Sequence, residues 1–170
     1  PESMGAYDII FFNGGHVEED IIYDLDGSQS EDLEESEPAT HEIIMSNIAN
    51  YVRDGGAIYA SDWAYVVVEL GWPDRLEFVG DDTIPDDAQL GEYDLVTAAI
   101  SDASLAEWLG SNSIEVEYDL PVWPPMEGVD GAVTTHLSGN VSYRIGQSTY
   151  TLAAVPLLAS FSSGEGKVVF

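Results

Sequence analysis

The first apolar run, YDIIFFN from Tyr7 to Asn13, ends on the pair Gly14-Gly15. An unbroken run of this kind predicts a strand buried on both faces, as in a parallel sheet. The acidic stretch that follows, EEDIIYDLDGSQSEDLEESEP, has too few periodic apolar positions to pack and reads as an exposed loop with at most one short helical turn. From about Ala39 to Asp54, Ile44, Ile48, Tyr51 and Val52 fall at i, i+4, i+7 and i+8, which lines one face of a helix. Gly55-Gly56 supply its stop. A strand over Ala57 to Ser61 and a second helix over about Asp62 to Leu70 follow, closed by Gly71-Trp72-Pro73.

Strand, helix, strand, helix with glycine-rich joints predicts right-handed crossovers and a parallel sheet with helices on its faces. The second half has a different rhythm. EYDLVTAAI reads as a strand, SDASLAEWLG as a short helix opened by Ser101 or Asp102 and closed by Gly110, and SIEVEYDL as a strand of period two. Beyond LPVWPPMEG, the runs GAVTTHL, VSYRI, LLASF and GKVVF read as short strands separated by glycine or serine turns. They add strands to the sheet or form a small hairpin. No internal repeat and no second domain boundary stands out.

Composition adds a constraint on partners. The chain has 170 residues, 45% of them hydrophobic, enough for one domain with a real core. Its 32 acidic residues against 4 lysines and arginines give a formal net charge of -28. Nucleic acid and anionic membrane surfaces would repel such a protein. Cations or a salty medium suit it, which points to an extracellular or cell-surface setting or to the cytoplasm of a salt-accumulating organism. The absence of cysteine excludes disulfides, thiolate metal sites and cysteine catalysis. No apolar run is long enough to insert into a membrane, and Pro1 opens no basic and apolar leader.

Taken in order, YDIIFFNGG, YVRDGGAIYASDWAYVVVELGWPDRLEF, DASLAEWLG and LLASFSSGEGKVVF resemble the class I glutamine amidotransferase-like superfamily, most closely its non-amidotransferase, trehalose-utilisation-like branch. The resemblance covers most of the chain as an ordered set of short motifs. It implies an α/β, flavodoxin-like three-layer sandwich with a mostly parallel sheet and extra strands in the C-terminal half. It also implies that Gly14 and Gly15 supply backbone amides to an oxyanion hole. The superfamily's nucleophile stands at the next strand-to-helix elbow, where this chain has Ser61 or Asp62 in place of cysteine. Its catalytic histidine follows a final strand like GKVVF, and this sequence stops at Phe170. The resemblance thus implies one amidotransferase-like domain over residues 1–170, a piece of a longer chain lacking its first strand and last motif.

Residue by residue, the chemistry is sparse. Ser61 as a nucleophile needs a nearby base, and its flanks Ala60 and Asp62 are not the glycines of a hydrolase elbow. Asp62 reads as the cap of the following helix, or as a ligand-binding residue at the carboxyl edge of the sheet. His16, next to the glycine pair, is the histidine best placed for function, and His41 and His136 read as incidental. Two acidic clusters have the oxygen-rich character that calcium favours: Asp24, Asp26, Ser28, Glu31 and Asp32, and Asp81, Asp82, Asp86 and Asp87. The alternative for both is a solvated surface. Trp63, Tyr65, Trp72, Trp108 and Trp123 read as core and edge packing.

The expected function is a non-catalytic binding or structural module of a larger secreted or surface protein, with calcium as its one candidate cofactor. Its partners would be the rest of its parent chain, neighbouring domains or cations. Two alternatives stay open: a serine hydrolase using Ser61 with a Gly14-Gly15 oxyanion hole, and a subunit of an extracellular assembly.

Overall fold

The structure, a computed structural model, describes residues 4–14, 37–80 and 88–170, with side chains in the first long helix from residue 43 onward. His16, Gly15, the side chain of His41, and both acidic clusters lie outside the described residues.

Strand β1 (Ile9–Phe12), helix α1 (Glu37–Arg53), strand β2 (Ala57–Ala60), a 3-10 turn (Asp62–Ala64) and helix α2 (Tyr65–Gly71) follow the expected order. Ile48 and Val52 are buried as the periodicity predicts, but Met45 takes the core position and Ile44 faces solvent. Gly55 ends α1 at φ 112°, a conformation that a side chain would strain. β3 (Leu76–Phe78), β4 (Leu90–Gly91), β5 (Asp94–Ile100), α3 (Ala103–Leu109), β6 (Ser113–Tyr118) and β7 (Met126–Val129) complete the middle of the chain. Asp102 caps α3 by accepting the N–H groups of Ser104 and Leu105, and Gly110 closes it in the left-handed region.

The fold is mixed α/β, and its sheet is mostly antiparallel where the sequence pattern predicts a mostly parallel one. The strand order is β1-β2-β10-β9-β8-β5-β6, with β4 beside β8 and a separate β3-β7 pair. Only β1, β2 and β10 (Gly166–Val169) run parallel; every other described pairing is antiparallel. The reason lies in the turns. β8 (Thr134–Ile145), β9 (Ser148–Ser163) and β10 are joined by tight connections through Gly146 and Gly164, both at positive φ, and a tight turn reverses the chain. GAVTTHL and VSYRI are therefore not two strands with a glycine turn between them. Gly139 lies inside β8, where a Cβ would come within 2.6 Å of Val96 and 2.9 Å of Leu157. It is a packing glycine.

α1 and α2 cover one face of the parallel strands, burying Met45, Ile48, Val52, Val67 and Val68 against Ile58, Ala60, Phe161 and Val168. β1 is correspondingly half-covered, not buried on both faces: Ile10 and Phe12 pack on this core, while Ile9 and Phe11 alternate outward and Phe11 is 63% exposed. A smaller core gathers Val96, Trp123, Val141 and Val155, with Tyr118, Leu152 and Leu157 against it. Of the five singled-out aromatics, Trp63, Tyr65 and Trp123 are buried and Trp72 packs at the core edge, its indole N–H donating to Ser163 Oγ (2.9 Å). Trp108 departs from the expectation, 81% exposed on α3.

Candidate functional site

The joint between β2 and α2 is a strained elbow at the carboxyl end of the parallel strands. Ser61 is extended (φ -147°) and occupies the N-cap position without a side-chain capping bond. Asp62 sits at φ 51°, in the left-handed region that non-glycine residues rarely adopt. Its expected capping role is thus not the one it fills. The backbone N–H of Ser61 donates to the Phe12 carbonyl (3.2 Å), tying the end of β1 to the elbow. Gly14 then passes so close that a Cβ there would lie 2.5 Å from Asp62 Cβ and from the Ser61 carbonyl oxygen, and 2.6 Å from Trp63 N. Gly14, Ser61 and Asp62 therefore lie together at the carboxyl end of the parallel strands.

A cavity of about 190 Å3 opens beside the elbow, lined by Tyr59, Ser61, Asp62, Tyr118, Trp123, Phe170 and apolar side chains from β6, β8 and β9. Tyr118 stacks on Trp123 with ring centroids 3.9 Å apart, and the Trp123 indole N–H donates to the Glu92 carbonyl (3.2 Å). Asp62 is open to solvent on one side, yet partial burial first and the charge of Asp119 second raise its carboxyl above the usual range. Burial, helped by the Asp62 charge and by Tyr59, pushes the Tyr118 phenol up to about 12. At neutral pH the cavity therefore presents a neutral phenol beside the Asp62 carboxyl. A larger groove, about 650 Å3, lies at the opposite, amino ends of β1 and β2, lined by Met4, Tyr7, Asp8, Asn50, Asp54 and Gly56. Open α/β sheets bind ligands at the carboxyl ends, which favours the smaller cavity.

A second polar constellation was not legible in the sequence. His136 Nδ1 lies 2.8 Å from Asp102 Oδ2, and His136 Nε2 lies 2.7 Å from Ser160 Oγ. An ionised carboxylate only accepts, so Nδ1 donates to it and Nε2 of the neutral imidazole accepts the Ser160 hydroxyl proton. The distances match a serine–histidine–aspartate relay, but the burial runs the wrong way for a nucleophile. The Asp102 and His136 side chains are 27% and 16% exposed, whereas Ser160 as a whole residue is 3% exposed. None of the cavities described above is lined by Ser160. The relay works as a clamp, joining the start of α3 to β8 and β9.

The backbone N–H of Leu105 first, and the His136 hydrogen bond next, hold the Asp102 carboxyl below its ordinary range. A carboxyl depressed in the folded state contributes stability above its unfolded value, about pH 4, and loses it as pH falls through the folded one. Melting curves of wild type and Asp102→Asn should therefore differ at pH 6 and converge below about pH 4. His136→Ala, which strands the Ser160 hydroxyl, should cost about 1–2 kcal/mol in urea unfolding. Equal unfolding curves would mean that the clamp carries no stability.

Among the described residues no group of three or more histidine, aspartate or glutamate side chains is placed to hold a metal ion, and no helix is long and apolar enough to cross a membrane.

No family model and no curated protein sequence matches the chain. Among solved structures, it is similar to the cytoplasmic protein STM3548 from Salmonella typhimurium, with a TM-score of 0.55 at 14% identity. That match covers 99% of this chain and 62% of STM3548, so the chain spans under two thirds of that protein's length. A fainter likeness, with a TM-score of 0.47 at 11% identity, is to Gan42B, a GH42 β-galactosidase; it covers 99% of this chain and 19% of that one. At such identities the likeness to STM3548 concerns the fold alone.

Proposed function

We propose that the protein is a non-catalytic ligand-binding module of the class I glutamine amidotransferase-like superfamily, with a flavodoxin-like ancestry kept in β1, β2, β10, α1 and α2. The observation that carries this reading is the elbow: the one strained residue at the end of β2 is a carboxylate, Asp62, set at the wall of an aromatic cavity. The position that would hold a nucleophile thus holds a binding group. Ser61, the alternative nucleophile, precedes the strained position, and His136 already spends both ring nitrogens on Asp102 and Ser160. The module belongs to a larger secreted or surface protein or to a salt-accumulating cytoplasm, where the charge of -28 keeps it soluble. Calcium at the acidic clusters remains part of this proposal on composition alone.

The test has two arms. A fluorophosphonate probe should leave the wild type unlabelled; labelling that Ser61→Ala abolishes would establish the hydrolase instead. Asp62→Asn should raise the melting temperature at neutral pH, since Asp62 pays for partial burial beside Asp119. A carboxyl raised in the folded state makes the protein gain stability as pH falls through that raised value, so the advantage of Asp62→Asn should close toward about pH 4. The gain should stay below about 1 kcal/mol because solvent reaches the side chain.

A further inference from the structure

We infer that the elbow cavity takes a small organic cation, an alkylammonium group of about the size of choline's head. This inference rests on the binding-module reading and adds the ligand's chemical class. Three observations converge on it. The cavity walls include four aromatic residues, Tyr59, Tyr118, Trp123 and Phe170, and aromatic rings attract cations through their negative faces. Among the described residues the charged side chain on its lining is Asp62, with Asp119 close enough to act on it electrostatically, and no described lysine or arginine lines it. The chain's arginines are engaged elsewhere: Arg53 with Asp54, Arg75 with Asp130 and Arg144 with Glu92.

Size and chemistry agree. A volume of 190 Å3 corresponds to roughly six waters, the space of a compact group of a few heavy atoms. Burying a cation there costs its hydration, so a bare apolar pocket would prefer an uncharged ligand of the same shape. Asp62 offsets that cost by supplying the opposite charge at the wall, while the neutral Tyr118 phenol and the Tyr59 ring replace water around the cation and the Trp123 indole, stacked on Tyr118 and covered by Gly91, backs the Tyr118 ring. An anionic ligand would meet the Asp62 carboxyl, with Asp119 acting on the same spot, and no counter-charge among the described lining residues. The protein's overall field concentrates cations around it before they reach the cavity.

The discriminating pair is choline and its uncharged carbon isostere, 3,3-dimethylbutan-1-ol, titrated calorimetrically into the full chain at constant ionic strength. Choline should bind at least about tenfold more tightly than the alcohol, a difference of about 1.4 kcal/mol. Asp62→Asn should weaken choline about tenfold and leave the alcohol within about twofold, while Trp108→Ala, a change at an exposed ring outside the cavity lining, should leave both unchanged. If the alcohol binds as tightly as choline, the cation class is overturned and the binding module stands. If neither binds, the cation inference is overturned, and the fluorophosphonate arm decides separately whether the module reading falls with it. Choline binding that survives Asp62→Asn unchanged also overturns it, because the attraction then comes from the general acidic surface.

Discussion

Trp123→Ala should cost about 3–5 kcal/mol of folding stability and abolish binding at the elbow cavity. Trp123 is buried in the smaller core, stacks on Tyr118, and donates its indole N–H to the Glu92 carbonyl. Gly91 lies directly beneath its ring, so close that a Cβ there would run into the indole carbons. Removing the side chain therefore empties a large volume, strands a carbonyl and takes away one wall of the cavity, and the rigid strands around it cannot collapse to fill the space. Guanidinium unfolding at fixed salt would measure the loss. A cost under about 1 kcal/mol would mean that Tyr118 and the neighbouring prolines close over the gap and that this core is not the tightly packed body described above.

Gly14→Ala should cost about 3 kcal/mol and distort the elbow, although it adds one methyl group. The new Cβ would meet the Ser61 carbonyl oxygen and the Trp63 nitrogen, which are backbone atoms and cannot rotate away as a side chain can. Either β1 shifts from β2 or the strained turn at Asp62 reopens, and both change the cavity's mouth. Gly5→Ala is the matched control, since a Cβ there meets nothing within 4 Å, and should shift the midpoint by less than about 0.5 kcal/mol. Similar effects for the two substitutions would place Gly14 away from the elbow and remove the geometric basis of the site.

Both predictions concern contacts between residues far apart in the chain, and that separation marks the limit of what the sequence discloses. α1 and its glycine stop, the strand over Ala57–Ala60, and α3 between Asp102 and Gly110 are readable because their causes are local. Apolar spacing, a capping carboxylate and a left-handed glycine all act within a few residues. The direction of the sheet was not readable. A strand run looks the same whether its neighbour is parallel or antiparallel, and Gly139 looks like a turn until Val96 and Leu157 are seen packed over it.

The clamp and the cavity were hidden for the same reason. Asp102, His136 and Ser160 stand 34 and 24 residues apart, and no local pattern distinguishes His136 from an incidental strand residue. Likewise, the sequence gives no sign that the ring of Tyr118 comes near Asp62, or that the elbow strain falls on Asp62 and not on Ser61. Composition and local pattern settled the acidic character, the absence of cysteine chemistry and most of the elements. Strand direction, the half-covered face of β1 and the residues that share the cavity were decided only in three dimensions, because long-range packing chooses which side chains meet.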